Sequence, residues 1–203
     1  MILPGFQYSK KLMRKIIIIN CCLIMLLSSC NKIAKGLQEE FYDEEESEAL
    51  PEFNIITSDS LFTLNLPSYM KEMGNLYPDA SLQYANIYKD TYTIVIYENK
   101  AEFTSIFKDF GDYNDEVDGA ENYMDFQKSY ITESLKNPKI ESYGLSKLNG
   151  LPARQVKIFG AMDGIDVAYL STTLEGENNL FLIMSWTTKE RFSTFENTRD
   201  YIE

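Results

Sequence analysis

Between residues 61 and 66 apolar and polar positions alternate: Leu61 and Phe62, then Leu64 and Leu66, are spaced by Thr63 and Asn65. A period of two is that of a half-buried strand, and Pro67 is expected to end it. Leu82 to Tyr88 and Tyr92 to Tyr97 form a second pair of apolar and aromatic runs around Lys89-Asp90-Thr91, which predicts a hairpin. Its second arm, YTIVIY, suits a central position in a sheet.

The period then lengthens. Phe103, Ile106, Phe107 and Phe110 fall at i, i+3, i+4 and i+7. This predicts a helix capped by Asn99 with support from Glu102 and ended by Gly111. A second helix is predicted over Glu121 to Lys136, with Tyr123, Phe126, Tyr130, Ile131 and Leu135 inward and Asn137-Pro138 as its stop. Beyond it, Ile140 to Leu148 and Pro152 to Phe159 flank Asn149-Gly150, a strong turn dipeptide. Asp163-Gly164 leads into IDVAYLSTTL, and residues 175–179 lead into LFLIMSW. Thr187 with Glu190 three positions on predicts the capping box of a closing helix, whose apolar stripe is Phe192, Phe195 and Ile202. The order β-β-β-α-α-β-β-β-β-α has no βαβ alternation. It implies an α+β fold, an antiparallel sheet flanked by helices, as one domain over 61–203.

The amino-terminal 30 residues follow different rules. Lys10, Lys11, Arg14 and Lys15 precede an apolar run of twelve residues, Ile16 to Leu27, interrupted only by Asn20, and then Ser28-Ser29-Cys30. A membrane-crossing helix needs about 20 apolar residues, so this run has the length of a secretory signal. Leu27-Ser28-Ser29-Cys30 resembles the bacterial lipobox. That resemblance implies a signal peptide over 1–29, cleavage between Ser29 and Cys30, and lipidation of Cys30 with acyl chains such as palmitate. Met13-Arg14-Lys15 before the apolar run is already a complete signal, so translation is expected to begin at Met13. Residues 30–60, rich in carboxylates from Glu39 to Glu48, are expected to form a flexible acidic tether. Asn31 stands where inner-membrane retention would favour Asp, which points to the outer membrane.

Composition narrows the chemistry. The chain has 203 residues, no His and a formal charge of −12. Removal of the four basic residues before Cys30 leaves 15 basic against 31 acidic side chains, a net charge of −16. Such a body repels polyphosphate, so no nucleic-acid partner is expected. The lack of His excludes Ser-His-Asp and Cys-His nucleophiles and nearly all zinc and iron sites. With Cys21 and Cys22 in the removed segment and Cys30 assigned to lipid, no thiol remains for a disulfide.

Residues 55–203 resemble the PsbP-like group, which includes DcrB-like lipoproteins. The likeness rests on FTLNLPSYM, the hairpin and helix pair after it, the Gly150-Leu151-Pro152-Ala153 turn, and Ser185-Trp186-Thr187 before the closing helix. It implies an α-β-α sandwich and a role in binding, assembly or transport support, with no shared catalytic residues. The partner expected on this reading is a protein or small molecule, beside the membrane itself.

Three constellations compete with that reading. Asn114, Glu116, Asp118, Gly119 and Asp125 approximate a calcium loop, but Asn replaces the first Asp and Asp the twelfth Glu. An acidic connection in which residues 119–125 already open the second helix is the expectation, with no metal and no cofactor. Paired carboxylates could hydrolyse glycans without His, yet no spacing selects a pair, so no catalytic residue is assigned. The 14 tyrosines are expected in the core and hairpins, with an exposed aromatic patch for a partner as the alternative; Trp186 is expected in the core.

Overall fold

The computed structural model describes residues 52–58, 61–142 and 144–193, all within one compact unit, Ala49–Glu203. Ten strands are formed. Five precede the helices: β1 (Phe53–Ser58), β2 (Phe62–Pro67), β3 (Lys71–Glu72), β4 (Leu82–Asn86) and β5 (Thr91–Asn99). Helices α1 (Lys100–Phe110) and α2 (Gly119–Glu133) come next. They are followed by β6 (Lys136–Ser142), β7 (Lys147–Leu148), β8 (Leu151–Met162), β9 (Ile165–Glu175), β10 (Asn179–Thr188) and a short 3-10 turn, η1 (Lys189–Arg191).

β1 and β2 form a separate antiparallel hairpin. The other strands make one sheet in the order β3-β4-β5-β10-β9-β8-β6, antiparallel throughout, with β7 joined to β8. The helix pair carries the chain from β5, inside the sheet, to β6 at its far edge, and the β8-β9-β10 meander returns it to β5. The helices therefore cover one face. There Phe103, Tyr123, Leu180 and Leu182 form one cluster, and Met124, Ile131, Leu135, Val156, Ile158 and Tyr169 another. On the opposite face the hairpin seats Leu64 and Leu66 against Leu82 and Val95. Phe192, after η1, closes over Ala168 and Leu170. This is the α+β arrangement expected: strand alternation supplies two apolar faces, and each needs a cover.

Several elements depart from the pattern-based reading. The folded unit starts before Leu61, because Phe53–Ser58 pairs with Phe62–Pro67 over the whole hairpin. Residues 53–58 are therefore strand, not tether. Only Ile56 of β1 joins a core cluster while Ile55 is 73% exposed, so the run lacks a clear period. Helix α1 has the predicted ends: Asn99 accepts from the Glu102 N–H, and Gly111 (φ 77°) donates back to Lys108 and Phe107. Helix α2 starts earlier than predicted, at Gly119, because Asp118 caps it. It also ends earlier, at Glu133, where the Ser134 hydroxyl donates to Ile131 O. Asn137-Pro138 is a β-bulge in β6 with Asn137 at φ 52°, not a helix stop. The strand predicted over 140–148 is split into β6 and β7, and Ala153 N–H reaches Ser146 O between them. Asn149-Gly150 and Asp163-Gly164 both take the left-handed pair of conformations expected of two-residue turns. The Thr187–Glu190 capping box does not form: Thr187 pairs with Ala168 in β10, and Thr188 precedes η1 without a side-chain cap. Phe195 and Ile202 lie outside the described residues.

Candidate functional site

The acidic connection between the helices is a structural clamp. Asp118 accepts from the Glu121 N–H at 2.9 Å, and Arg154, from β8, donates to Asp118 Oδ2 and Glu121 Oε2, both at 2.9 Å. Burial pulls the Arg154 pKa down, but hydrogen bonding and charge from Glu121 and Asp118 outweigh it and leave it raised. Gly119 N–H donates to Glu175 Oε2 at 2.7 Å, and Glu175 also meets Lys100. Asn122 folds the preceding turn by binding both backbone groups of Asn114. Asp125 sits in the second turn of α2, paired with Lys128. The five residues of the calcium-like pattern are thus divided between a cap, a turn and a helix, as an acidic helix connection requires. No group of three or more metal-ligating side chains occurs among the described residues.

Two open clefts mark the surface. One, of about 480 Å³, lies where β6, β8, β9 and η1 meet; Lys136, Lys139 and Lys189 line it with Glu141, Asp166 and Phe159. The other, of about 330 Å³, separates the β1–β2 hairpin from β3 and β4 and has Glu72 as its carboxylate. Gln83 is committed there, since its Oε1 accepts from Leu76 N–H and Tyr77 N–H. Glu141 is held below the usual carboxylate range, first by the Lys139 hydrogen bond and then by that ammonium's charge.

Trp186 is half-buried as the middle ring of a stack, 5.2 Å from Tyr92 and 6.2 Å from Tyr169 between centroids. It packs on the cluster that holds Ile131 and Leu135, which is the core position expected. Tyr123 is fully buried, and its hydroxyl donates to Glu98 at 3.1 Å. Burial, then the Glu98 charge, pushes its pKa well above the usual value.

The outer side of the helix pair carries the feature that the core does not use. Phe103 and Phe107 stack at 4.2 Å, and Phe126 meets Phe107 edge-on at 5.0 Å and Phe103 at 6.1 Å. Phe103 is the buried root of this ridge; Phe126 is 38% exposed and Phe110, one turn beyond Phe107, is 46% exposed. Phe126 was expected inward with Tyr123 and Ile131. The inward stripe of α2 instead includes Gln127, 7% exposed and hydrogen-bonded to Tyr123, which turns Phe126 outward. A buried Gln is invisible to a search for apolar periodicity.

Cys30 and Ser29, assigned to lipidation and cleavage, lie outside the described residues, as does the acidic run 39–48. Among the described residues no helix is long and apolar enough to cross a membrane. No protein-family model matches the chain, and no curated protein matches it. Among solved structures it is similar to cyanobacterial PsbP from Synechocystis, at 10% identity and a TM-score of 0.49 over 79% of this chain and 95% of that one. It is also similar to LpqN, involved in cell envelope biogenesis of Mycobacterium tuberculosis, at 11% identity and a TM-score of 0.41 over 76% and 83%. A third is PA94 from Pseudomonas aeruginosa, a protein of unknown function, at 10% identity and a TM-score of 0.38 over 74% and 96%. At these identities and scores the likenesses assign neither a family nor a role, and what is established is an α+β fold with a half-exposed aromatic ridge on its helix layer.

Proposed function

We propose that this chain is a lipid-anchored protein of the bacterial cell envelope, PsbP-like in fold, that works without catalysis by holding a protein partner against its helix layer. The observation that carries the reading is Phe126, exposed and edge-on against the half-buried Phe107, with Phe110 exposed one turn further along α1. Contiguous exposed aromatic surface costs solvation free energy and marks interfaces, whereas single exposed apolar residues are ordinary. Anchoring rests on the basic and apolar leader followed by Leu27-Ser28-Ser29-Cys30. Two or three acyl chains on Cys30 would make the attachment stable, where one would be marginal. The sequence resemblance to the PsbP-like group also favours an accessory role.

A photo-crosslinking residue at position 126, expressed in intact cells, tests this. A discrete protein adduct that is missing with the same residue at position 165, an exposed site at the start of β9, is expected. Equal, diffuse labelling from both positions would contradict it. Separately, Cys30→Ala should move the folded chain out of the membrane fraction.

A further inference from the structure

The cleft at the β6 edge has a charge opposite to that of the molecule. We propose that it binds the phosphate group of a small organic phosphate, with the organic part lying over Phe159. Lys136 opens β6, Lys139 follows the bulge, and Lys189 comes from η1, more than 50 residues later, yet all three line one cleft. The formal charge of the chain is −12, whereas the three lysines of this lining against Glu141 and Asp166 leave it a net of +1, a local inversion of the sign. Lys139 is engaged: it donates to Glu141 at 2.6 Å. Lys136 and Lys189 form no ion pair among the described residues, and against them stands the single carboxylate of Asp166. The surplus therefore suits an anion and disfavours a cation.

The cleft is also shaped. Asn137, at φ 52° in the bulge, belongs to its lining, so the bulge that shifts the β6 register also forms its wall. Gly160 also lies in the lining. A Cβ there would come within 2.9 Å of Leu135 Cβ, so the sheet is pressed closely against the end of the helix layer. Phe159 is held edge-on against Phe192 at 5.2 Å, which fixes an apolar wall beside the lysines. At about 480 Å³ the space exceeds what a bare phosphate fills and matches a small organic ligand. Lysines on an edge strand also deter strand pairing, and Pro138 serves that end in β6. Lys189 is not on the edge strand and has no such duty.

Phosphate on a soluble metabolite and phosphate on a lipid headgroup share this chemistry, so the test separates them. The full chain in nonionic detergent micelles is titrated with inorganic phosphate, phenyl phosphate and dihexanoyl phosphatidate, and ³¹P line broadening is read against empty micelles. Phenyl phosphate is expected to bind at least about tenfold more tightly than inorganic phosphate, weakening as salt is added. Phosphatidate binding about tenfold more tightly than phenyl phosphate would make the ligand a headgroup; similar or weaker binding would make it soluble. The Lys136→Gln/Lys189→Gln double variant should lose about tenfold or more, and Lys147→Gln, outside the cleft, should lose nothing. Unchanged affinity in the double variant, or no broadening by either organic phosphate at millimolar concentration, overturns the proposal. Neither lysine is in the core, so the melting temperature of the double variant should match the parent and confirm that the comparison is fair.

Discussion

The sheet has two covers, and they treat their apolar side chains differently. The β1–β2 hairpin sends Leu64 and Leu66 fully into the core and leaves Ile55 and, in its turn, Leu61 exposed, neither of them part of that core cluster. The helix layer buries Phe103 and Tyr123 as completely, but it leaves Phe126, edge-on against Phe107 and Phe103, exposed, and Phe110 exposed on α1. Charge separates the covers further. Residues 100–133 hold nine carboxylates and three lysines, half of the formal charge of the whole chain. All three lysines are already paired, with Glu175, Asp115 and Asp125. Exposed Phe beside surplus carboxylate suits a partner whose own surface is apolar and basic. The hairpin stabilises the fold; the helix layer stabilises it and presents a surface.

Substitutions can break that contrast. The largest effect is expected in the hairpin cover: Leu66→Ala empties a site only 3% exposed and should cost about 2–5 kcal/mol in urea unfolding. A much smaller loss would mean that the hairpin is not a true cover of the sheet. Gly160→Ala should follow, at about 1–3 kcal/mol, because its methyl group would meet Leu135 and the Lys136 carbonyl at the end of the helix layer. Next, Tyr123→Phe removes one hydroxyl and its hydrogen bond to Glu98, for a loss of about 1 kcal/mol at neutral pH. Its pH dependence sharpens the prediction. A folded-state pKa above the usual value of about 10 means that the native chain keeps the phenol proton longer than the unfolded chain. The stability from Tyr123 is therefore complete below about pH 10 and is lost as pH rises through the folded-state value. Alkaline melting curves of the parent should fall more steeply than those of Tyr123→Phe. The smallest effects belong to exposed positions: Phe126→Ser and Ile55→Ser should each change stability by less than about 1 kcal/mol.

Much of this was legible in the residues. Helix α1 with its Asn99 and Gly111 ends, the Asn149-Gly150 and Asp163-Gly164 turns, and the antiparallel class follow from local periodicity and turn chemistry. Of the expected α1 stripe, however, only Phe103 is buried, and Phe110 is exposed. The misses share a cause, which is pairing that no local signal reports. β1 is a strand because β2 lies beside it, and Asn137-Pro138 fits a strand because a bulge absorbs it. Thr187 stays extended because β9 offers Ala168 as its partner. The ridge was hidden for a related reason: Gln127 reads as polar, yet Tyr123 gives it a buried partner, and Phe126 is displaced to the surface. The cationic cleft was beyond reach altogether, since Lys136 and Lys189 meet only through the topology.

The central claim is that the ridge is a binding surface, not an exposed edge of the core. It is tested most directly by Phe126→Ser in a chain carrying a photo-crosslinker at Ser129, an exposed position one turn along α2. Unfolding and crosslinking are then read on the same protein. A melting temperature within a few degrees of the parent, together with loss of the Ser129 adduct, is the predicted result. An adduct of undiminished yield, or unfolding on the scale of Leu66→Ala, would contradict it.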